Sequence, residues 1–231
     1  MTLPKLPWAR LFSEGALIVV SVYFAIVLEG MSQEREAKLS AHGALAQMLG
    51  EMREDLADVD KIRSHQLALD KQYIALSHWL ASPESMPHDS VAEAMDSIFL
   101  DNRTLYPRRS AWTTMVAAGQ LIKLDSAGLV ARLGNFYESV NGRLIEGGSE
   151  YDENLNDIGR NSATAIWDGF NGRLQTSDVR ELTAFRNQLR YMHVWGNLWY
   201  LDRLDEYEQM LISLALEIES YLDENGFETG T

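Results

Sequence analysis

The sequence contains no cysteine, only five prolines and far fewer basic than acidic residues. The lack of cysteine excludes a disulfide framework, a thiol nucleophile and a thiolate-bound metal. All five prolines lie at or before Pro107, so none of them breaks a helix in the second half. Acidic residues outnumber Lys and Arg by 34 to 20, and the formal net charge is −14. A chain this acidic is not expected to bind nucleic acid.

The familiar catalytic motifs are also missing. The sequence has no HExxH, no Glu-x-x-His pair, no GxSxG, no Walker loop and no GxGxxG. Calcium would need a tighter pattern of oxygen ligands, closed by a Gly and a distal Glu, than the acidic stretch 146–157 offers, which favours a solvated face or loop. The five histidines, which form none of these motifs, are His42, His65, His78, His88 and His193. We therefore predict a protein that is not an enzyme and that carries no cofactor or metal.

One uncharged run of 14 residues, Gly15–Leu28, stands near the N-terminus. Pro7 can precede a helix, and a helix from Trp8 to Glu29 would be about 33 Å long, which matches the hydrocarbon core of a bilayer. A cleaved signal peptide is the alternative, since Lys5 and Arg10 precede the apolar run. Gly30 and Ser32 make a poor cleavage site, so we predict a retained transmembrane helix.

A carboxylate within this predicted span needs an explanation. Glu14 follows Arg10 by four residues, so the two side chains can form an ion pair near the headgroups. Alternatively, Glu14 contacts another membrane subunit. Ile18, Ser21 and Ala25 continue the same helical stripe, and the last two form a small-xxx-small pair that permits close helix packing. These five residues are the predicted packing face of the membrane helix.

The orientation of the span follows from basic residues at its two ends. Lys5 and Arg10 lie on the N-terminal side, and Arg35 and Lys38 lie on the other. This is nearly a tie under the positive-inside rule. Because a short basic N-terminus usually stays in the cytoplasm, we predict a bacterial inner-membrane protein with a cytoplasmic N-terminus and a periplasmic main domain.

The remaining chain has the apolar spacing of helices throughout, and no segment shows convincing strand alternation. The first helix is predicted to run to Trp79–Leu80, with a phase slip near 62–66 that indicates a bend or a change of packing partner. Gly147–Gly148 is predicted to interrupt a later helix. The fold class is therefore all-α, with residues 1–30 as the N-terminal segment and membrane helix. Residues 31–231 form an antiparallel bundle of about four long helices.

An aromatic cluster stands out near the end of the bundle. Trp195, Trp199 and Tyr200 follow Met192 within nine residues. Aromatic residues on a bundle helix usually belong to the core, so core packing is the first interpretation. A protein interface and a small-ligand pocket are the second and third interpretations.

Two segments resemble an uncharacterised bacterial family, a domain of unknown function. SEGALIVVSVYFAIVLEGMSQER is similar to that family's Glu followed by one Ile/Val/Leu-rich span and a long polar helix, and Glu14 falls on that Glu. LYPRRSAWTTMVAAGQLIKLDSAGLVARLGNFYES resembles a second family segment. The matching residues there are Pro107, Ser110, Thr114, Ala118–Gly119, Leu121–Ile122 and Tyr137. The family's usual Asn/Trp-rich end of the span is replaced by LEGMSQER. The resemblance covers residues 10–140, and it implies a membrane-anchored helical protein but no reaction.

Three functions remain open from the sequence. The first is a non-catalytic accessory or structural subunit that docks onto a larger integral membrane complex, such as a photosynthetic or respiratory assembly. The second is a membrane-anchored extracytoplasmic sensor or ligand-binding helical domain. An enzyme is the third. The expected partners are the lipid bilayer and other integral membrane subunits.

Overall fold

One helix dominates the fold. The computed structural model describes residues 8–85 and 87–227, and it describes side chains from residue 16 onward apart from that of Ser85. The first helix, α1, runs over Trp8–Trp79 and contains 72 residues. At 1.5 Å per residue it is about 108 Å long. The predicted end of this helix at Trp79–Leu80 is confirmed.

Further helices and one small hairpin follow α1. They are α2 (His88–Phe99), α3 (Ser110–Ala117), α4 (Ala127–Asn135), α5 (Asn141–Ile158), α6 (Thr164–Ile166), β1 (Trp167–Asp168), β2 (Arg173–Leu174), α7 (Val179–Tyr191) and α8 (Trp199–Glu224). Short 3₁₀ turns cover Pro83–Ser85 and Gln120–Lys123, and π-helical segments cover Phe136–Val140, Gly159–Ala163 and Met192–Leu198. The predicted all-α fold with a long apolar N-terminal helix is confirmed.

The π-helical segments join neighbouring α-helices into continuous rods. In the described part of the chain, one rod runs from α4 to α6 and another from α7 to α8, so that together with α1 there are three long rods. The predicted interruption at Gly147–Gly148 is wrong, because α5 continues through both glycines. The glycines are tolerated there because large aromatic side chains occupy the space that their missing side chains leave.

Ion pairs show that α1 and α8 run antiparallel. Arg53 on α1 pairs with Glu219 at 2.8 Å, and Arg63, further along α1, pairs with Glu208, which is earlier in α8. Between these rods lies the first core, which α1 residues from Ala41 to Val59 share with α3, α4, α8 and the π segment at 136–140. The second core joins α1 residues from Leu69 to Leu76, and Leu80 just after that helix, with α2, the end of α5, and α7.

The two cores meet where the apolar phase of α1 slips. Gln66 is fully buried there, and its Nε2 donates a hydrogen bond to the backbone oxygen of Arg103 at 2.6 Å. Asn197, also fully buried, donates from Nδ2 to the backbone oxygen of Gln66 at 3.2 Å. The predicted change of packing partner is therefore confirmed, and polar side chains fill the junction between the two apolar clusters.

A β-hairpin lies at the edge of the second core, in the segment that connects α6 to α7. Trp167 pairs with Leu174 across the two strands. The Asp168 carboxylate accepts hydrogen bonds from the backbone N–H groups of Phe170 and Asn171, which closes the turn. Gly172 has a positive φ of 60°, a conformation that glycine adopts without strain. This turn leaves the side chain of Phe170 97% exposed.

Candidate functional site

The apolar N-terminal part of α1 lies outside the bundle. Every side chain from residue 16 to residue 36 is exposed, and none belongs to either core. By length and composition, this is a helix that can cross a membrane. Of the predicted packing face, Ile18 and Ala25 are exposed, and the Ser21 hydroxyl donates to the backbone oxygen of Leu17 at 2.8 Å. The predicted Arg10–Glu14 ion pair lies outside the described side chains.

A cleft with aromatic walls opens between α5 and the π segment that precedes α8. Its volume is about 210 Å³. It is lined by Gly147, Glu150, Tyr151, Asn154, Tyr191, Met192, Trp195, Gly196 and Trp199. We call it the aromatic cleft. Because α8 runs antiparallel to α1, the cleft lies beside the Gln66 region of α1, about 57 Å along the helix from Leu28.

Two glycines bring the walls of the aromatic cleft together. A Cβ on Gly147 would lie 2.6 Å from the Trp199 ring, and a Cβ on Gly196 would lie 2.6 Å from the Tyr151 ring. Each rod therefore supplies one glycine that receives an aromatic ring from the other rod. This reciprocal contact fixes the spacing of α5 and the π segment, and with it the width of the cleft.

The predicted aromatic residues occupy three different environments. Tyr200 is buried and does not line the cleft, because its ring stacks on Tyr151 and its hydroxyl accepts from the Leu105 N–H at 2.6 Å. Trp199 is half-buried, and the Arg203 guanidinium lies 5.1 Å from its ring centroid. Trp195 is 66% exposed, so core packing does not describe it.

Sequence reasoning missed three polar or aromatic members of the cleft, namely Tyr191, Glu150 and Asn154. Tyr191 is 51% exposed beside Trp195, whereas Glu150 and Asn154 come from the acidic stretch whose pattern favoured a solvated face. Glu150 and Asn154 are four residues apart and follow Gly147 on the same helix, and that spacing is the signal that could have found them. No Lys or Arg lines the cleft, and Glu150 forms no ion pair with any described residue.

Two buried tyrosine hydroxyls connect the α5 wall of the cleft to α1. The Tyr151 hydroxyl lies 2.9 Å from the Tyr73 hydroxyl, inside the second core. Burial raises the pKa of both phenols above its ordinary value of 10. These phenols are therefore neutral hydrogen-bonding groups at physiological pH, and they hold the α5 wall against α1.

A buried carboxylate anchors the loop that crosses the first core. Asp55 is 2% exposed, and it accepts hydrogen bonds from the Arg108 guanidinium at 2.6 Å, the Arg108 N–H at 3.1 Å and the Tyr207 hydroxyl at 2.8 Å. Burial, the largest influence, raises the pKa of Asp55 although these donors oppose the shift. The sequence signal that could have identified this buried carboxylate is its position, three residues after Met52 and within the apolar stripe of α1.

The histidines are dispersed over the bundle. His42 packs against the rings of Tyr221 and Phe227, and His88 stacks on Trp167. His193 Nδ1 lies 2.9 Å from Asp70 Oδ1, next to the aromatic cleft. Among the residues that the structure describes, no three His, Cys, Asp or Glu side chains converge on a common point that could hold a metal ion.

Comparison with known proteins adds one finding to this geometry. The model of a family of unknown function (DUF6090) matches residues 14–195, which include α1 from Glu14 onward and all of α5. The chain belongs to the DUF6090 family. The match confirms the predicted membership of an uncharacterised family, and it extends beyond the predicted 10–140 to Trp195 in the wall of the cleft. No curated protein and no solved structure matches this DUF6090 chain.

Proposed function

We propose that this DUF6090 protein is a non-catalytic single-pass membrane protein. In this proposal it is an accessory or structural subunit whose helical bundle docks onto a larger integral membrane complex, such as a photosynthetic or respiratory assembly. The observation that carries the proposal is that every side chain from residue 16 to residue 36 is exposed, in a helix that continues into a well-packed bundle. The proposal also puts the bundle in the periplasm of a bacterium and the N-terminus in the cytoplasm.

The length of the apolar segment supports a span. From Trp8 to Leu28 the helix covers 21 residues, or about 31 Å, and the hydrocarbon core of a bilayer is about 30 Å thick. Exposed apolar side chains in water would be a costly surface, whereas in lipid they need no protein partner. Among the α1 side chains that the structure describes, Ala41 is the first that is buried, so a short polar stretch separates the span from the bundle.

The fate of the buried polar groups supports a structural role for the bundle. Asp55, Tyr73 and Tyr200 are buried, and each has hydrogen-bond partners that tie one element to another. Among the exposed side chains that a partner could contact, the aromatic cleft offers two of the largest, Tyr191 and Trp195.

Purification in a mild non-ionic detergent tests the proposal. We expect integral membrane proteins to co-purify in stoichiometric amounts with the wild-type protein. The variant Val22→Lys places a charge in the span, at a cost of about 3 kcal/mol for insertion, and should reduce both membrane retention and co-purification. Gln33→Lys, beyond the apolar run, is the matched control and should change neither. A protein that purifies alone as a monomer would contradict the proposal.

The lack of native cysteine makes the orientation of the span easy to test. Ser32→Cys introduces a single thiol on the bundle side of the span. In intact cells, a membrane-impermeant maleimide should label this thiol if the bundle is periplasmic. Labelling only after the inner membrane is permeabilised would place the bundle in the cytoplasm.

The aromatic cleft favours a second candidate, a membrane-anchored extracytoplasmic sensor or ligand-binding domain. Its volume of about 210 Å³ is below the range of roughly 300–1,000 Å³ that is usual for small-molecule sites. A ligand would thus have to be small. Thermal melting with free amino acids and polyamines tests this function. A melting temperature raised in the wild type and unchanged in Trp195→Ala would support it over docking.

A further inference from the structure

We propose that the aromatic cleft receives an arginine side chain of a partner protein. This inference rests on the proposed docking function and names the chemistry of the docking site. Three observations support it, namely the size of the cleft, its exposed aromatic rings and its unpaired carboxylate.

The size of the cleft suits one long side chain. At about 210 Å³ and open on one side, it is too small for a typical cofactor but deep enough for the end of a side chain. The two glycine contacts, Gly147 with Trp199 and Gly196 with Tyr151, fix the distance between the walls. An occupant therefore meets a preformed cleft and loses little free energy to rearranging it.

The exposed rings favour a planar cation. Trp195 and Tyr191 are 66% and 51% exposed, so a partner can reach their ring faces. Beside them the protein's own Arg203 guanidinium lies 5.1 Å from the Trp199 ring centroid, within the roughly 6 Å range of a cation–π contact. One guanidinium–indole contact is thus already present at Trp199, and the free rings of Trp195 and Tyr191 offer the surface for a second.

The charge of the cleft selects the same class of group. Glu150 lines the cleft without an ion-pair partner among the described residues, and Glu146 and Glu153 on the neighbouring turns of α5 also form no ion pair there. The net charge of −14 attracts basic partners from a distance. Arginine is favoured over lysine because its flat guanidinium can stack on a ring and donate two hydrogen bonds to one carboxylate.

Binding of a short labelled peptide tests the inference without knowledge of the partner. The probe is fluorescein-labelled Gly-Arg-Gly-Arg-Gly, and its lysine counterpart is the comparison. Fluorescence anisotropy is measured on the full chain in non-ionic detergent micelles, at about 50 and about 300 mM salt to separate long-range attraction from contact. We expect the arginine peptide to bind at least about threefold more tightly than the lysine peptide.

Two variants and two matched controls localise the binding. Trp195→Ala and Glu150→Gln should each raise the dissociation constant by about fivefold or more. Phe170→Ala removes an exposed ring on the hairpin, and Glu93→Gln removes an exposed charge on α2, so both should leave the constant nearly unchanged. Because all four side chains are exposed, melting curves should show that every variant folds. Equal losses in the controls, or no preference for arginine, would overturn the inference.

Failure of this inference is distinguishable from failure of the proposed function. If membrane partners co-purify as well with Trp195→Ala as with the wild type, docking stands and the assignment of the cleft is wrong. If the peptide binds in the cleft but no membrane partner co-purifies, the proposed accessory role is wrong. Competition between the arginine peptide and two small cations, free arginine and tetramethylammonium, is a further test. If tetramethylammonium displaces the peptide as effectively as free arginine does, the cleft recognises only charge, and the choice of arginine is overturned.

Discussion

At the scale of single residues, buried polar groups decide where the loops attach. Asp55 provides the acceptor for a backbone N–H, a guanidinium and a phenol, and these donors come from two different elements. Its raised pKa means that burial penalises the charged form more than the donors favour it. The carboxylate therefore has two roles in the fold, as an acceptor for hydrogen bonds and as the ion-pair partner of Arg108.

Replacement of Asp55 separates these two roles. Asp55→Ala should lower the free energy of unfolding by about 2–3 kcal/mol, because Arg108 and Tyr207 lose their buried acceptor. Asp55→Asn keeps one acceptor oxygen and avoids the buried charge, so it should cost less than about 1 kcal/mol. Denaturant unfolding measures both values. A loss with Asn as large as that with Ala would show that the negative charge itself is required.

His42 makes the stability of the fold depend on pH in the mildly acidic range. Burial is the main reason that its pKa falls below the ordinary value of 6.5, with Lys38 acting in the same direction and Asp125 opposing it. The unfolded chain therefore binds a proton at a higher pH than the folded protein does. Stability from this group is complete above pH 6.5 and is lost as the pH falls towards the folded-state pKa.

We expect His42→Gln to reduce the loss of melting temperature between about pH 7 and about pH 5, because the variant has no imidazole to protonate. The matched control is His78→Gln, at an exposed position on the same helix. Thermal melting by circular dichroism checks both. A wild-type protein whose melting temperature rises over this interval would contradict the assigned direction of the shift.

At the scale of elements, close contact between rods depends on glycine. Gly147 on α5 and Gly196 on the π segment each face a ring at a distance that no real Cβ would tolerate. A Cβ added to Gly142, on the same helix as Gly147, would meet nothing within 4 Å. Substitution by alanine should therefore lower stability at Gly147 and Gly196, where a ring lies close, and raise it at Gly142, where the space is open.

Gly147→Ala and Gly196→Ala should each destabilise the protein by about 1–3 kcal/mol, because the added methyl group displaces a packed ring. This loss outweighs the gain in helix propensity of about 1 kcal/mol that alanine brings. Gly142→Ala should show the gain alone and raise the melting temperature. If Gly147→Ala were as stabilising as the control, the contact between α5 and Trp199 would not be close.

At the scale of the whole molecule, an excess of negative charge opposes compaction. With 34 acidic and 20 basic residues, many acidic side chains have no partner of opposite charge. The surface ion pairs that do form contribute only about 0–1 kcal/mol each. Mutual repulsion among the unpaired carboxylates should therefore dominate the response of the fold to salt.

The melting temperature should rise when NaCl is increased from about 10 to about 150 mM, as the screening length shortens from about 30 to about 8 Å. A double variant, Glu146→Lys with Glu153→Lys, changes the net charge by two units at each position and should show a smaller rise. A fall in the wild-type melting temperature over this range would mean that the ion pairs outweigh the repulsion.

Local rules explain which parts of this fold were predictable. Apolar spacing predicted the all-α class, the end of α1 at Trp79, and the change of packing partner near Gln66, because each depends on residues close together in the chain. The predicted interruption at Gly147–Gly148 was wrong because the outcome there depends on residues that are distant in the chain. Glycine weakens a helix locally, but here Trp199 and Tyr200, about 50 residues away, fill the space beside it.

The candidate site was likewise predictable only in the part that depends on residues close together in the chain. The sequence indicated Trp195 and Trp199 as residues of interest, yet their spacing favoured the core for both of them and for Tyr200. Only the packing of α5 against the π segment leaves Trp195 at the surface, buries Tyr200, and brings Glu150 beside the tryptophans. Linear spacing cannot predict contacts between residues about 40 positions apart.

The sequence by itself determined the apolar helix at the N-terminus, the helical class and the strong negative charge, since these follow from composition and from periodicity within a single helix. The tertiary structure alone decided that this apolar stretch stays clear of the bundle and that two rods meet at paired glycines. It also decided that an acidic helix face and exposed aromatic rings border one cleft. These features depend on how the rods pack, and that packing is a property of distant residues acting together.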